Sequence, residues 1–366
     1  MHRCHFLILA SSIALLTSAF SEPVRVVSPD FQGAEQPQVA VAPNGTVYIV
    51  FGVKSRGDIY CTHSIDGAKS FSAPQRIDGL DKLALGLRRG PRIAATDTAV
   101  VVTAISHGAK NLYSWRSVDG GKSWSGKLAV NDTAESAGEG LHDMAGDGRG
   151  KVFVNWLDHR NKQTELWGAV SVNGGESWSP NVRIYHSPDG HICECCSPSA
   201  AVTPEGELVA MWRNWLGGAR DLYLATSRDD GKTFTTAAKM GSGTWLLQGC
   251  PMDGGGIAID ADGKPWTVWR RNSSIFMAKD SSDEIRISSQ GTQPVAVLGR
   301  EGMSLLWQNG GKLYRSAVAR VGSEPEIVSE SAGFAAVAAN PNRTMAIVAW
   351  EGAIGGNRTI FSEILK

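Results

Sequence analysis

The sequence predicts an all-β protein, a single β-propeller with seven four-stranded blades, and two observations carry this prediction. The first is composition: 366 residues include 42 Gly and 12 Trp, with 42% hydrophobic and 20% charged residues. This is the composition of an ordinary globular protein, and its many glycines favour short strands and tight turns. The second is repetition, because one strand–turn–strand unit recurs seven times at intervals of roughly 40–55 residues, the spacing of propeller repeats.

Each unit opens with a strand of small and apolar residues, turns, and continues into a second apolar strand that usually ends in an aromatic residue. In the first unit, residues 37–51, the turn is Asn44-Gly45, a pair that accepts the positive φ of a hairpin turn at little cost. The later units begin near Arg92, His142, Cys196, Cys250, Pro294 and Phe334. The second strands end at Phe51, Ile105, Trp156, Trp212, Trp269, Trp307 and Trp350.

A third and a fourth strand follow in each unit. One third-strand position carries a tyrosine in four units, and a residue repeated in this way indicates packing between blades; these are Tyr60, Tyr113, Tyr223 and Tyr314. The seventh unit ends after its third strand, at residues 358–361. We therefore predict that residues 23–27 supply its fourth strand and close the ring. Six blades are the alternative if one late unit is miscounted.

The first 21 residues are predicted to be a cleavable signal peptide. Arg3 and His5 precede an apolar run, residues 6–16, and small residues follow it up to Ser21. This is the pattern of a secretory signal, and the run is too short to span a membrane as a helix. We expect residues 22–366 to form one propeller domain, released to the periplasm or secreted.

The charge balance excludes several partners. The chain has 36 basic and 36 acidic residues and a pI near 7.1. It therefore offers neither the basic surface that nucleic acid requires nor a polybasic arm for anionic lipid. We predict no nucleic-acid partner, no membrane insertion and a monomer.

Four octapeptides sharpen the fold prediction: residues 64–71, 117–124, 171–178 and 227–234, each about 54 residues from the next. They closely resemble the Asp-box, or BNR repeat, of sialidase-like propellers. The second and fourth match fully, whereas the first has Ala68 for the usual Gly and the third has Asn173 for the Asp. The resemblance implies a turn between the third and fourth strands, with the last aromatic residue packed between blades.

In a propeller the entries of the first strands and the exits of the second strands face one mouth of the axial channel, where ligands usually bind. The polar residues at these positions are Gln36, Gln38, Lys54, Arg88, Arg89, Arg92, His107, Glu139, His142, Asp143, Asp158, His159, Arg160, Arg213, Asn214, Gln248, Asp253, Arg270, Arg271, Gln308 and Glu351. The sequence therefore predicts a small-ligand, metal or glycan site at this axial mouth.

One hypothesis for this mouth is a carbohydrate-active enzyme. The resemblance to sialidases implies an arginine triad for a substrate carboxylate, a Tyr–Glu pair and an acid/base Asp. Arg92, Arg213 and Arg270 could form such a triad, but all six tyrosines fall on strand positions. A hydrolase or lyase acting on acidic glycans could instead use His142 and Asp143, or His159 with Asp158.

The second hypothesis starts from two cysteine-rich segments on adjacent units. His191, Cys193, Cys195 and Cys196 lie on one, and Cys250 and Met252 lie on the next. In an extended chain Cys193 and Cys195 face the same side, so two thiolates could bind one ion. Such a soft donor set favours Cu(I), or Zn(II) where His and thiolates dominate.

Structural disulfides are the alternative state of these cysteines in an exported protein, with Cys195 or Cys196 bonded to Cys250. Cys61, alone on a third strand, is expected to be a buried free thiol. We favour a binding protein over an enzyme, with copper as the first candidate. A glycan-processing enzyme and a protein-interaction platform at the same mouth are the alternatives.

Overall fold

A computed structural model of the chain describes residues 22–279 and 283–365. The predicted signal peptide lies outside the described residues. The described chain is almost entirely β-structure, arranged as seven four-stranded antiparallel sheets. Within these residues, no helix is long and apolar enough to cross a membrane.

The strands follow the chain in blade order. Strand β1 (Val24–Arg25) precedes blade 1, which contains β2 (Ala34–Val41), β3 (Val47–Val53), β4 (Asp58–Ser64) and β5 (Gln75–Gly79). Blade 2 contains β6 (Arg92–Ala95), β7 (Val100–Ser106), β8 (Asn111–Ser117) and β9 (Leu128–Ala129). Blade 3 contains β10 (His142–Gly146), β11 (Val152–Asp158), β12 (Glu165–Ser171) and β13 (Val182–Tyr185).

Blade 4 contains β14 (Ser199–Val202), β15 (Leu208–Arg213), β16 (Leu222–Ser227) and β17 (Ala238–Lys239). Blade 5 contains β18 (Gly255–Ile259), β19 (Pro265–Arg271), β20 (Ser274–Lys279) and β21 (Ile285–Ser288). Blade 6 contains β22 (Thr292–Gly299), β23 (Gly302–Asn309), β24 (Lys312–Ala317), a short 3₁₀ turn (Val318–Arg320) and β25 (Glu326–Ser329). Blade 7 contains β26 (Gly333–Ala339), β27 (Ala346–Ile354) and β28 (Asn357–Leu365).

The ring closes as the sequence predicts. The first strand of each blade contacts the first strands of its neighbours, and β26 contacts β2. Strand β1 pairs with β28, with Val24 opposite Ser362 and Arg25 opposite Phe361. The N-terminal segment is therefore the fourth strand of blade 7, and the count of seven blades is confirmed.

The cores lie between blades, each built from two neighbouring sheets. In blades 1, 4, 5, 6 and 7, the aromatic residue near the end of the second strand stacks on the third-strand aromatic directly opposite it. The ring centroids are 5.8 Å apart for Phe51 and Tyr60, and 6.1 Å apart for Trp307 and Tyr314. The repeated tyrosines thus pack blades, as predicted.

The four octapeptides form one repeated turn between third and fourth strands. In residues 227–234, the Asp229 carboxylate accepts hydrogen bonds from the Ser227 hydroxyl (2.8 Å), the Thr233 N–H (2.9 Å) and the Thr233 hydroxyl (2.6 Å). The same arrangement recurs around Asp66, Asp119 and Asn173. The last aromatic residue packs between blades, as where Phe234 lies 6.1 Å from Phe153 of blade 3.

Two strand starts differ from the sequence prediction. Strand β14 begins at Ser199 and β18 at Gly255, so Cys196 and Cys250 lie in the loops before these strands and do not open them. Prolines follow both cysteines closely, at 198 and 251, and a proline has no N–H for ladder pairing. Gly254 also passes so close to the Ser197 carbonyl that a Cβ there would lie 2.3 Å from its oxygen.

A candidate metal centre beside the axial channel

The seven first strands enclose an axial cavity of about 580 Å³. Its wall is mostly small and apolar, and includes Ala40, Ala94, Ala200, Ala258 and Ala338. Small side chains are needed there because seven strands converge on one axis. The wall itself therefore carries little chemistry, and polar groups are concentrated at its ends.

Two arginines fill the end of the cavity at the strand-entry mouth. The Arg88 guanidinium crosses the axis and donates to the carbonyls of Gly255 (3.1 Å) and Pro294 (3.1 Å) in blades 5 and 6. Arg92 pairs with Asp143 (3.2 Å) and donates to the Arg88 carbonyl (2.5 Å). The mouth that the sequence predicts as a ligand site is thus largely occupied by the protein's own side chains.

The two residues predicted as an acid–base pair have structural partners. His142 is fully buried, with Nε2 3.1 Å from the Thr103 hydroxyl of blade 2, and burial lowers its pKa well below the usual value. Asp143 accepts the Ala200 N–H (2.9 Å) and pairs with Arg92, while burial raises its pKa. The His142 ring is therefore buried against Thr103 of blade 2 and is not exposed to solvent.

The remaining predicted arginines also bind within the protein. Arg213 is buried and donates to the carbonyls of Asp253 (3.0 Å) and Arg220 (2.6 Å). Arg270 pairs with the Asp253 carboxylate (3.1 Å). Arg213 and Arg270 both lie over the Trp245 ring, whereas Arg92 lies beside Asp143. The described contacts therefore hold these arginines against backbone and carboxylate groups.

The strongest cluster of metal ligands is a tight turn between β13 and β14. The Cys193 N–H donates to the Arg213 carbonyl (3.0 Å), and the Cys196 N–H donates back to the Cys193 carbonyl (3.4 Å). This turn replaces the extended segment that the sequence predicts. It brings Sγ of Cys193 to 3.2 Å from that of Cys196 and 3.7 Å from that of Cys195, with 4.0 Å between the last two.

The surroundings of the cluster favour the thiolate form of one cysteine, Cys193. Hydrogen bonds from the Cys195 and Cys196 thiols lower the pKa of Cys193, and the guanidinium groups of Arg220 and Arg213 lower it further against the effect of burial. Arg220 donates directly to Sγ of Cys193 (3.2 Å). Burial raises the pKa of the Cys196 thiol, so Cys193 is the member of the turn whose surroundings most favour negative charge.

The other predicted ligands are placed around this cluster. Cys250 is exposed, and its pKa is raised first by a hydrogen bond with Cys195 and then by desolvation. The His191 ring stacks on Trp215 with centroids 5.0 Å apart, and its Nδ1 lies 3.6 Å from the Glu194 carboxylate. Among the described residues, only the three turn cysteines form a group whose ligand atoms all lie within 4.8 Å of one another. Met252 as a ligand stays a prediction.

The cluster lies beside the axis and not on the channel wall. In the segment that leads into β14, the first residue that lines the cavity is Ser197, directly after Cys196. All five cysteines in the described residues are free thiols, and the shortest of the sulfur distances above, 3.2 Å, exceeds the roughly 2.05 Å of a disulfide bond. Cys61 is buried as expected, and burial raises its pKa.

Sequence reasoning missed the groups that surround the sulfurs. Trp215 and Arg220 lie in the hairpin between β15 and β16, where the Arg220 guanidinium lies 5.1 Å from the Trp215 ring centroid. Both follow Arg213, a predicted second-strand exit, so including every residue of that loop among the candidates would have identified them. Glu139 and His159, which the sequence predicts at the mouth, form an ion pair (3.2 Å) that raises the pKa of His159. The Thr164 hydroxyl lies within hydrogen-bond distance of His159 and donates to Glu194, which lies between Cys193 and Cys195 in the chain.

Comparisons with known proteins support the fold alone. No protein-family model matches the chain, and no curated protein matches it by sequence. YCF48 bound to D1 peptide matches with a TM-score of 0.58 at 12% identity, covering 94% of this chain and 96% of that one. A catalytically inactive virginiamycin B lyase from Staphylococcus aureus, solved with quinupristin, matches with a TM-score of 0.57 at 11% identity, covering 94% and 98%. NanB sialidase from Streptococcus pneumoniae matches at 0.49 and 13%, covering 98% and 72%.

Proposed function

We propose that this chain is an exported metal-binding propeller that holds Cu(I) with the thiolates of Cys193, Cys195 and Cys196. The observation that carries the proposal is the convergence of three sulfurs within 4.8 Å of one another in a single turn. Exported proteins seldom keep several reduced cysteines together without a use for them. A bound soft metal would protect these thiols from oxidation.

The sulfur geometry is close to that of a shared ion. Metal–sulfur bonds of about 2.3 Å place two sulfurs about 3.8–4.0 Å apart in tetrahedral or trigonal coordination. The separations of Cys195 from Cys193 (3.7 Å) and from Cys196 (4.0 Å) already fit. The third separation, 3.2 Å, must open by about 0.6–0.8 Å.

The donor set favours Cu(I) over Zn(II). Three sulfurs suit a soft monovalent ion, whereas a structural zinc site takes four ligands. The imidazole of the predicted ligand set, His191, is engaged with Trp215 and Glu194. Cu(I) with three thiolates also leaves a net negative charge, which the neighbouring guanidinium groups of Arg220 and Arg213 can balance.

The proposal also covers the identity of the octapeptide motif and the cellular location of the protein. The recurring Ser–Asp–Ser/Thr hydrogen bonds of the octapeptide turns support their assignment as Asp-boxes. The N-terminal pattern of Arg3, an apolar run and small residues supports export to the periplasm or beyond the cell.

The test is metal analysis and competitive titration of reduced protein with Cu(I) and with Zn(II). We expect one Cu(I) per chain, and we expect its loss in Cys193→Ser, Cys195→Ser and Cys196→Ser. Cys61→Ala, in the buried thiol of blade 1, is the matched control and should retain the metal. Protein purified without reductant that carries no copper and titrates with one free thiol would refute the proposal in favour of disulfides, and preferential zinc binding would refute the choice of metal.

A further inference from the structure

The four sulfurs at this site form a path from solvent to the interior. Cys250 is exposed, Cys195 is half-buried, and Cys193 and Cys196 are buried. The Arg220 guanidinium donates to Sγ of Cys193 (3.2 Å), and the Arg220 N–H donates to the Trp245 carbonyl (2.8 Å), which brings the loop after Trp245 against the cysteine turn. Cys250 lies on this loop, and Cys195 is the most accessible member of the turn. Cys250 lies outside the group whose ligand atoms are all mutually close. The accessible sulfur is therefore next to the inner cluster without belonging to it.

The backbone around Cys250 is anchored on both sides. Before it, the Leu247 N–H donates to the Gly218 carbonyl (3.3 Å). After it, the Pro251 carbonyl accepts from the Arg270 guanidinium (2.9 Å). Between these anchors, Gln248, Gly249 and Cys250 are exposed. The anchors keep the Cys250 thiol at the edge of the site, while the exposed stretch presents it to other molecules.

From this arrangement we infer that Cys250 is the entry ligand, which takes Cu(I) from a small thiolate-bound copper complex and passes it to Cys195. The inference rests on the proposed function, since it assigns the loading route of the same site. Cys250 has no part in the final coordination, which Cys193, Cys195 and Cys196 complete.

The transfer is a ligand exchange without a change of oxidation state. The Cys250 sulfur forms a bond to Cu(I) as one donor thiolate leaves, and the proton of the Cys250 thiol goes to that thiolate. The Cys195 sulfur then bonds to the ion, and the remaining donor thiolate leaves with the Cys195 proton. Finally Cys193 and Cys196 bind, the proton of Cys196 returns to Cys250, and the Cu–Cys250 bond breaks.

The experiment compares loading rate with affinity, using Cu(I)–glutathione as the donor. We expect Cys250→Ala to lower the loading rate about tenfold or more, as removal of an attacking thiol does in sulfur exchange, while its equilibrium Cu(I) affinity changes less than about twofold. Ser242→Ala, another exposed position of the same loop, is the matched control and should load at the wild-type rate. Cys195→Ala should instead lower the affinity itself.

The outcomes are distinguishable. If Cys250→Ala takes up Cu(I) at the wild-type rate, the entry role is overturned and the proposed function is unaffected. A large loss of affinity in that variant makes Cys250 a resident ligand and also overturns the inference. Failure of the wild-type protein to bind Cu(I) at all overturns the proposed function, and the entry role with it. Circular dichroism of the variant confirms that it is folded.

Discussion

Arg220 contacts the cysteine turn on one side and an aromatic ring on the other. Its guanidinium donates to Sγ of Cys193 (3.2 Å) and lies over the Trp215 ring, which in turn stacks on His191. A cation in this position stabilises thiolate charge without competing as a ligand. The geometry of one side chain thus supports the charge that the copper proposal requires.

We predict that Arg220→Gln weakens Cu(I) binding by about ten- to a hundredfold, because a hydrogen bond to a charged group contributes about 1.5–3 kcal/mol. Arg220→Lys, which keeps the charge, should recover part of the loss. Arg228→Gln is the control, since its side chain is 83% exposed and pairs with Glu207. Competition with a chromogenic Cu(I) chelator measures the change, and equal affinities for all four proteins would contradict the role of Arg220.

Asp229 gives a residue-scale prediction for stability in acid. Hydrogen bonds from Thr233 and Ser227 lower its pKa to about 2 from an ordinary 3.8. A lowered carboxyl pKa stabilises the fold above the unfolded value, and this contribution disappears as pH falls through the folded value. Asp229→Ala should therefore lower the melting temperature by a few degrees at pH 7, and the gap from wild type should narrow between about pH 4 and pH 2.

The third octapeptide supplies the comparison for that prediction. Its uncharged Asn173 accepts a hydrogen bond from the N–H of Ser177 (3.1 Å), the position that corresponds to Thr233, and donates to the Ser177 hydroxyl (2.9 Å). Asp229→Asn should accordingly keep more stability than Asp229→Ala, and its gap from wild type should also narrow in acid. Thermal unfolding followed by circular dichroism across this pH range tests both variants. A gap that widens in acid would contradict the argument.

Among the elements, the two-residue strand β1 completes blade 7 by pairing with the last strand, β28. The residues after it are buried against blade 1 and blade 7: Val26 is 3% and Val27 is 2% exposed. The Val26 N–H also donates to the Ile360 carbonyl (2.9 Å). Both backbone pairing and apolar burial therefore hold the closing segment.

We predict that Val26→Ala and Val27→Ala each lower the free energy of unfolding by about 1–3 kcal/mol, since two buried methyl groups are lost in each. Pro23→Ala, at an exposed position just before β1, should change stability little. Urea unfolding measures all three. Stability unchanged in the valine variants would mean that the ring does not depend on this closure.

The elements also show how far sequence reasoning reaches. The strands were predictable because each unit repeats the same strand–turn–strand pattern, and because pairs such as Phe51–Tyr60 recur at fixed positions. The cysteine turn was not, since its shape depends on a hydrogen bond from Cys193 to Arg213, across a loop contact that no periodicity encodes. The burial of His142 likewise depends on Thr103 of another blade. Local pattern predicts strands, whereas the site depends on contacts between loops.

At the scale of the whole molecule, the small side chains of the seven first strands leave a channel along the axis of the ring. Arg88 spans this axis from the loop before blade 2 to the carbonyls of Gly255 and Pro294 in blades 5 and 6. Its backbone adopts φ 65°, an unfavourable conformation for a non-glycine residue. Such a conformation persists when the surrounding contacts compensate for it, as three carbonyl acceptors do here.

We predict that Arg88→Met lowers the free energy of unfolding by about 2–4 kcal/mol, because it leaves buried carbonyl oxygens without a donor in the middle of the ring. Arg300→Met, at an exposed turn of blade 6, removes the same charge and should change stability little. Urea unfolding of both variants separates the two effects. A small loss in Arg88→Met would show that the blades hold the ring without this cross-axis contact, and that water can replace the guanidinium. A large loss would make Arg88 a structural brace across the axis, and a ligand at the strand-entry mouth could then not take its place.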